Sequence, residues 1–420
     1  MKPTLRSLLE GLIHKGSLEV IDADGVVHRF GDRQPSPVRV RFTRPDAERA
    51  VLRDPELRLG EEYVNGGLVI EVGSVLDLLG VLTSNLDRTP LPWWVAIRSG
   101  LRVTGDRLTD NNDLERARHN VHAHYDLDGR LYTLFLDSDL QYSCAYFEDG
   151  VTSLAEAQHA KKRHLASKLA LRPGQKVLDI GSGWGGLGLY LAEHCGVDVT
   201  GVTLSDEQFA VSNRRAEERG LSDRVRFLLQ DYRALEGPFD RIVSVGMFEH
   251  VGLSRYGEFF TSLRTLLSED GVAVLHTIAK RGRPGPIGPW IKRYIFPGAH
   301  LPTLSELTPH IEGQGFWLTD VEVLRLHYAD TLAAWNARFQ ARRAEAAELY
   351  DERFCRMWEF YLQSSEAAFR YQGLCVFQLQ LAKQIEALPR TRAYMSDAEE
   401  GLRREERGSD SRRPLKLAGE

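Results

Sequence analysis

Cysteine is scarce in this 420-residue chain: Cys144, Cys195, Cys355 and Cys375 lie far apart and form no CxxC pair. That argues against a disulfide framework and a cysteine zinc site, and favours a reducing, cytoplasmic compartment. Long hydrophobic runs are missing too. None approaches the ~18 residues that suggest a membrane-crossing helix, and the opening MKPTLRSLLEGLIHKGSLEV has too little apolar centre for a signal peptide. Nor is there a cationic excess, because 54 Lys and Arg stand against 59 Asp and Glu for a net charge of −5. A nucleic-acid binder would usually carry a basic footprint, so attraction to an anionic surface must come from local patches. No HxxxH or HExxH spacing supports a metal site, and no internal repeat is apparent. What is present is apolar material, 42% of the residues, enough for two or three domains at roughly 100–200 residues each.

Residues 1–110 read as a small mixed α+β domain with a linker. A helix from Leu5 to His14 precedes SLEVID and VVHRF, which flank an Asp24-Gly25 turn and predict a hairpin. Val38 to Phe42 alternates like a half-exposed strand, Pro45 opens a helix with acids in its first turn, and SVLDLLGVLTSNL has helical spacing. The turn-rich stretch that follows contains Trp93 and Trp94 beside Arg98, Arg102 and Arg107. Paired tryptophans with arginines suit an interfacial helix at 92–107, and equally a helix that packs domains together.

From Gln175 short Val/Ile/Leu-rich strands alternate with amphipathic helices, through QKVLDIG, VDVTGVTLS, VRFLLQDY, FDRIVSVGM and GVAVLHTIA. That alternation predicts an α/β doubly wound parallel sheet with its ligand at the carboxyl ends of the strands. The catalytic domain is expected over 111–390, strongly helical from about Leu332 to Leu388, with a polar, disordered tail over 391–420. Asp179 to Gly186, DIGSGWGG, lies where the first strand turns into a helix. Glycines there let backbone approach a nucleoside. The motif fits both GxGxxG dinucleotide enzymes and the acid-x-GxGxG loop of S-adenosylmethionine (SAM) methyltransferases. Asp179 before the loop, Thr203-Leu204-Ser205 ending the second strand and Asp231-Tyr232 ending the third favour SAM. Asp231 at a strand tip could accept from the adenine amino group, or could simply cap a turn.

Asn120 to Asp126, Tyr142-Ser143-Cys144 through Phe147, LDIGSGWGG, GVTLSDEQ, SVGMFEHVG, LHTI, YIFPG and HYADTL resemble the cyclopropane-fatty-acyl-phospholipid synthases and the related mycolic acid cyclopropane synthases. The likeness runs from about 115 to 385, in the order of the family, and the N-terminal residues resemble the extra domain of its phospholipid-acting members. It implies a class I SAM-dependent methyltransferase fold. It also implies a SAM site made by Tyr142, Ser143, Asp179, Gly181, Gly183, Gly185, Thr203, Ser205, Gln208, Asp231 and Tyr232. Cys144, Glu249, His276, Ile278 and Tyr328 would hold bicarbonate as the base. Ser182 and Ser365 stand where many members have cysteine, so no thiol at position 365 can be essential here.

Methyl transfer to an alkene leaves a carbocation, and loss of a proton from the new methyl closes a three-membered ring. Such a site wants aromatic faces, for which Tyr146, Phe147, Trp290, Phe296 and Tyr328 are candidates alongside a plain packing role. It also wants a base preorganised beside the cation. His276, Tyr328, Cys144 and the Ile278 amide can donate to a bound anion, whereas Glu249 would accept its O–H, or would itself be the base. Lys280, Arg281, Arg283, Lys292 and Arg293 cluster with Trp290, Ile291, Tyr294, Ile295 and Phe296. A basic, aromatic loop of that kind suits a phospholipid membrane surface with unsaturated acyl chains. The expected protein is a cytoplasmic enzyme, peripheral at the inner membrane face, with the homodimer that the resemblance implies. A methyl- or methylene-branching enzyme and a catalytically silent lipid-binding paralogue are the competing readings.

Overall fold

The computed structural model describes residues 3–32, 38–86 and 128–410. The motif at Asn120 to Asp126 and the tryptophan segment at 92–107 lie outside the described residues, as do the last ten of the tail.

The N-terminal unit is a four-stranded sheet in the order β2-β1-β3-β4, made by β1 (Ser17–Ile21), β2 (Val27–Gly31), β3 (Val38–Phe42) and β4 (Leu68–Val72). The hairpin forms at the predicted Asp-Gly turn because Gly25 takes φ +84° and Oδ1 of Asp22 accepts the amides of Asp24 and Val26 at 3.1 and 2.8 Å. Helices Pro3–Leu12, Pro45–Arg53, Pro55–Val64 and Val75–Leu86 accompany the sheet. Proline opens the second of these, with Asp46 and Glu48 at its positive end.

The larger sheet has the order β10-β11-β9-β8-β5-β6-β7. Its strands are β5 (Lys176–Ile180), β6 (Asp198–Thr203), β7 (Val225–Leu229), β8 (Phe239–Val245), β9 (Leu267–Lys280), β10 (Trp317–Leu324) and β11 (Leu374–Ala382). Strands β7, β6, β5, β8 and β9 are mutually parallel, and β11 runs antiparallel between β9 and β10. The chain proceeds outward from β5 to β6 and β7, then returns to β8 on the other side. The crevice at the β5 and β8 tips is therefore the switch point, where such sheets bind ligands.

Two expectations are corrected. Leu374–Ala382, read as helical, is the strand β11. It is covered on both faces, so its apolar run carries no period that separates strand from helix. Residues 391–410, read as disordered tail, include the helix Ala393–Asp410. That helix is held by ion pairs to the catalytic unit, among them Glu406 with Arg163 of the buried helix Leu154–Lys168 at 2.5 Å and Arg403 with Glu148, ahead of that helix, at 2.7 Å. Among the described residues no helix is long and apolar enough to cross a membrane.

The two units share packing. Val64 and Val75 join the apolar cluster built around Trp335 and Trp358, and Oε1 of Gln363 accepts the Leu76 amide at 2.9 Å. Trp290 packs edge-on to Phe360 at 4.6 Å, directly under Gly60.

Candidate active site

Two cavities meet above the β5 and β8 tips. One, of about 170 Å³, is lined by Asp179 to Trp184, by Thr203 and Gln208, and by Asp231 and Tyr232. The other, of about 640 Å³ and mostly apolar, holds Glu249, His276, Ile278 and Tyr328 and reaches Phe42, Val51 and Leu78 of the N-terminal unit. Tyr142, Ser143, Gly246 and His250 line both, and so form a common wall.

The glycine loop behaves as its residues dictate. Gly183 takes φ +54° and faces open space, a place where backbone can approach a ligand. Gly181, at φ +81°, lies so close to Met247 that an added Cβ would sit 2.7 Å away. Gly185 does not line the cavity but packs on Phe227 and begins the helix Gly186–Cys195. Ser205 is likewise absent from the lining; it caps the helix Asp206–Glu218 through the Gln208 amide. Thr203 donates to Oε1 of Gln208 at 2.8 Å. Asp231 lines the cavity, yet it caps the turn after β7 and pairs with the Arg233 guanidinium at 2.8 Å. The capping role of Asp231 is therefore seen directly. Ser182 donates to the Val202 carbonyl at 3.3 Å, so the hydroxyl has its own place in the loop.

In the larger cavity Glu249 stands on the turn after β8 and is 5% exposed. Its Oε1 accepts the Ile278 amide at 2.5 Å, and its Oε2 is buried without a partner. The Ile278 N–H thus serves the carboxylate in this structure. Burial raises the Glu249 pKa to about 7, against the opposing pull of that amide. His276, on β9, is also buried, which drives its pKa well below the usual histidine range and keeps the ring neutral. Nε2 of Gln378, on the neighbouring strand β11, donates to Nδ1 of His276 at 3.1 Å. With the amide so oriented the ring proton sits on the other nitrogen, Nε2. Cys144 is fully buried, and burial raises its pKa so far that it stays a thiol, its Sγ directed to the Ala145 carbonyl at 3.3 Å. Tyr328 opens the helix His327–Ala341 and packs against Trp335 and Phe369.

The aromatic lining differs from expectation. Trp290, Phe296 and Tyr328 line the cavity, but Tyr146 and Phe147 do not. Tyr146 is sandwiched between His164, at 4.1 Å, and His327, at 4.9 Å. Phe360, Tyr361 and Phe369 line the cavity as well, all from the helix Glu352–Tyr371. Ser365 also lines it, from the same helix. Trp290 is buried and serves the cavity and the domain junction, and Ile295 is buried in the apolar cluster, whereas Arg281, Arg283 and Arg293 stay exposed. Gln378 escaped notice because it sits in a strand read as helix.

Residues 112–379 match the mycolic acid cyclopropane synthetase family. The cyclopropane-fatty-acyl-phospholipid synthase of Escherichia coli strain K12 is 39% identical over 353 residues, covering 84% of this chain and 89% of that protein. The tuberculostearic acid methyltransferase UfaA1 of Mycobacterium tuberculosis is 35% identical over 383 residues, 87% of this chain and 88% of that protein. The crystal structure of mycolic acid cyclopropane synthase CmaA1 complexed with SAH and CTAB aligns at a TM-score of 0.60 and 37% identity, covering 63% of this chain and 97% of that one. A doubly wound sheet with a glycine loop at its switch point, a buried Glu249–His276 pair beside it and these likenesses lead to one conclusion: the chain belongs to the mycolic acid cyclopropane synthetase family.

Proposed function

We propose that the protein transfers a methylene group from SAM to the double bond of an unsaturated phospholipid acyl chain, giving a cyclopropane chain. The observation that carries this reading is the common wall of Tyr142, Ser143, Gly246 and His250 between a more polar cavity at the glycine loop and a strongly apolar one that holds Glu249 and His276. Wall and cavities would bring a methyl donor and an acyl chain to opposite sides of one opening.

The glycine-loop cavity suits SAM in chemistry as well as place. Asp179 brings a buried carboxylate whose Oδ2 has no partner, Gly183 offers open backbone, and Tyr232 and Leu204 give apolar surface for a base. Bound there, SAM supplies an electrophilic methyl group on a sulfonium, the activation that a poorly nucleophilic alkene requires. The protein's own part is to align the two reactants, keep out water and handle one proton. The walls of the larger cavity exclude water, while Tyr328, Tyr361 and Phe369 present ring faces suited to a carbocation. His276 offers Nε2–H and Glu249 offers the unpartnered Oε2. The two would hold bicarbonate, with Glu249 accepting the ion's own O–H, and the ion would supply a base that does not trap the methyl group. Glu249 as the base itself is the variant reading.

The mouth of the larger cavity bears Lys280 and the turn at Gly285, with Arg281 and Arg283 exposed next to them. We assign this edge to an anionic membrane surface, where each cation contributes roughly 1 kcal/mol near the lipid. A methyl-branched product stands as a second reading, because UfaA1 is by name a methyltransferase. Incubation of the protein with SAM and unsaturated phospholipid vesicles, followed by NMR of the acyl chains, separates them: cyclopropyl protons support the proposal, and vinyl or branched-methyl signals replace it. Repetition in carbon-dioxide-free buffer tests the base. Lost turnover with intact SAM binding supports bicarbonate, and unchanged turnover makes Glu249 the base.

A further inference from the structure

The helix Ala393–Asp410 lies beyond residues 112–379, which match the family, and it sets a row of carboxylates against three histidines. Glu406 meets His159 at 3.2 Å, Glu405 meets His194, and Glu399 meets His164 at 2.5 Å. Among the described residues His159 and His194 each face one carboxylate, which a neutral ring serves in the proper tautomer. His164 differs. Its Nδ1 is bonded to Oε1 of Glu399, and its Nε2 to Oε2 of Glu322 on strand β10 at 2.7 Å. An ionised carboxylate only accepts, so both ring nitrogens must carry protons, and His164 is an imidazolium that bridges the C-terminal helix to the sheet.

Charged groups face the ring from every side. Lys168 and Arg163 share its helix, and Lys168 also reaches Glu322 at 2.5 Å. Arg403, on the C-terminal helix, lies 4.0 Å from Glu399 and pairs with Glu148 at 2.7 Å. Tyr146 stacks on the ring at 4.1 Å and on His327 at 4.9 Å, while His276 of β9 feels the charge of His164. Burial opposes that charge, but the hydrogen bonds to Glu322 and Glu399 outweigh it and raise the His164 pKa above its ordinary 6.5. Burial also opposes ionisation of the two carboxylates, and the bonds from His164 keep both ionised, with the Glu322 pKa held down to about 2.

The helix that carries His164 also holds the wall between the two cavities. Gln158 donates to the Ser143 carbonyl at 2.9 Å, Lys161 donates to Oγ of Ser143 at 2.7 Å, and the Tyr146 amide donates to the Ala157 carbonyl at 3.0 Å. We propose that His164 is a proton-operated staple, which as an imidazolium ties the C-terminal helix to β10 and steadies the segment from Tyr142 to Tyr146, and which lets go when the ring loses a proton. A neutral ring keeps one N–H and turns a lone pair to the other carboxylate, so the bridge is cut whichever proton leaves. A histidine with a raised folded pKa gives stability that is fully present below the unfolded pKa and lost as pH rises through the folded one. The wall formed by Tyr142 and Ser143 therefore stiffens toward acid.

Hydrogen exchange of the full-length protein between about pH 6 and about pH 9, corrected for the intrinsic rate, tests this. Protection of the wild-type helix Ala393–Asp410 should fall about ten- to a hundredfold as pH rises, and protection of residues 142–146 should fall with it. Glu399→Gln supplies an amide that accepts from an imidazolium and donates to a neutral ring. Its helix should be less protected than the wild type at the acid end and more protected at the alkaline end. Such a crossing is diagnostic, because loss of a merely structural contact would leave the variant below the wild type throughout. Nitrogen chemical shifts of the wild-type His164 ring give a second reading, with both nitrogens protonated near neutrality and one proton lost as the helix loosens. Curves that do not cross, or a ring with a single proton across the whole range, would overturn the staple.

Discussion

Oε1 of Glu249 accepts the Ile278 amide at 2.5 Å and fastens the turn after β8 to strand β9, while Oε2, on the same carboxylate, is buried without a partner. The two oxygens divide the labour. One fixes the side chain against the sheet, and the other faces the cavity with unused accepting capacity. A group that is both held and underused in this way is preorganised for a proton.

The pH dependence follows from burial, which raises the Glu249 pKa to about 7 from an ordinary value of 4.5. Proton acceptance needs the ionised form, so kcat/KM should rise as pH passes through about 7 and then level. Glu249→Gln should lower kcat by about 10²- to 10⁴-fold and lose that limb, with S-adenosylhomocysteine affinity unchanged. The same raised pKa means the protonated form favours folding, an advantage present below the unfolded pKa and lost as pH rises through about 7. The melting temperature of Glu249→Gln relative to wild type should therefore improve between pH 5 and pH 8.

Gln378 sets the His276 tautomer by donating to Nδ1. A glutamate at that position would accept from Nδ1–H instead and move the ring proton to the wrong nitrogen. Gln378→Glu should lower kcat by about a hundredfold or more with little change in the affinity for S-adenosylhomocysteine. Nitrogen chemical shifts of the His276 ring report the tautomer directly.

Gly60 lets the N-terminal unit close on the catalytic one, because an added Cβ would lie 2.6 Å from both Phe360 and Trp290. These are ring atoms that cannot swing away. Gly60→Ala should cost about 1–3 kcal/mol of stability, measured by denaturant unfolding, and should slow turnover of phospholipid while leaving S-adenosylhomocysteine binding intact.

Glu406 joins the C-terminal helix to the catalytic unit, meeting Arg163 at 2.5 Å and the Tyr190 hydroxyl at 2.6 Å. Burial opposes its ionisation, but hydrogen bonds from His159 and Tyr190 hold the pKa down to about 2. Its contribution is therefore present above the unfolded pKa and lost as pH falls through about 2. Glu406→Gln should destabilise by about 3 kcal/mol near neutrality, and the difference from wild type should shrink in acid.

Much of the site could be read from residues alone. The glycine loop, Thr203 and Asp231 lie at strand ends, where alternating strands and helices put a ligand, and Glu249 and His276 end or occupy strands of that same edge. What escaped depends on pairing across the fold. The helix Ala393–Asp410 looked like a solvated tail because composition does not show that Glu399, Glu405 and Glu406 meet His164, His194 and Arg163. Tyr146 looked like a cavity aromatic, but its partners His164 and His327 are distant in sequence. Gln378 is separated from His276 by 102 positions and joined to it only by the β9–β11 register.

The central claim is that the new methyl group itself gives up the proton that closes the ring, beside Glu249 and His276. SAM carrying a trideuterated methyl group, incubated with the protein and unsaturated phospholipid vesicles, tests it by mass spectrometry and NMR of the released acyl chains. The account predicts a cyclopropane that keeps two of the three deuterium atoms. A product that keeps all three, with a branched methyl and no cyclopropyl signal, would contradict it.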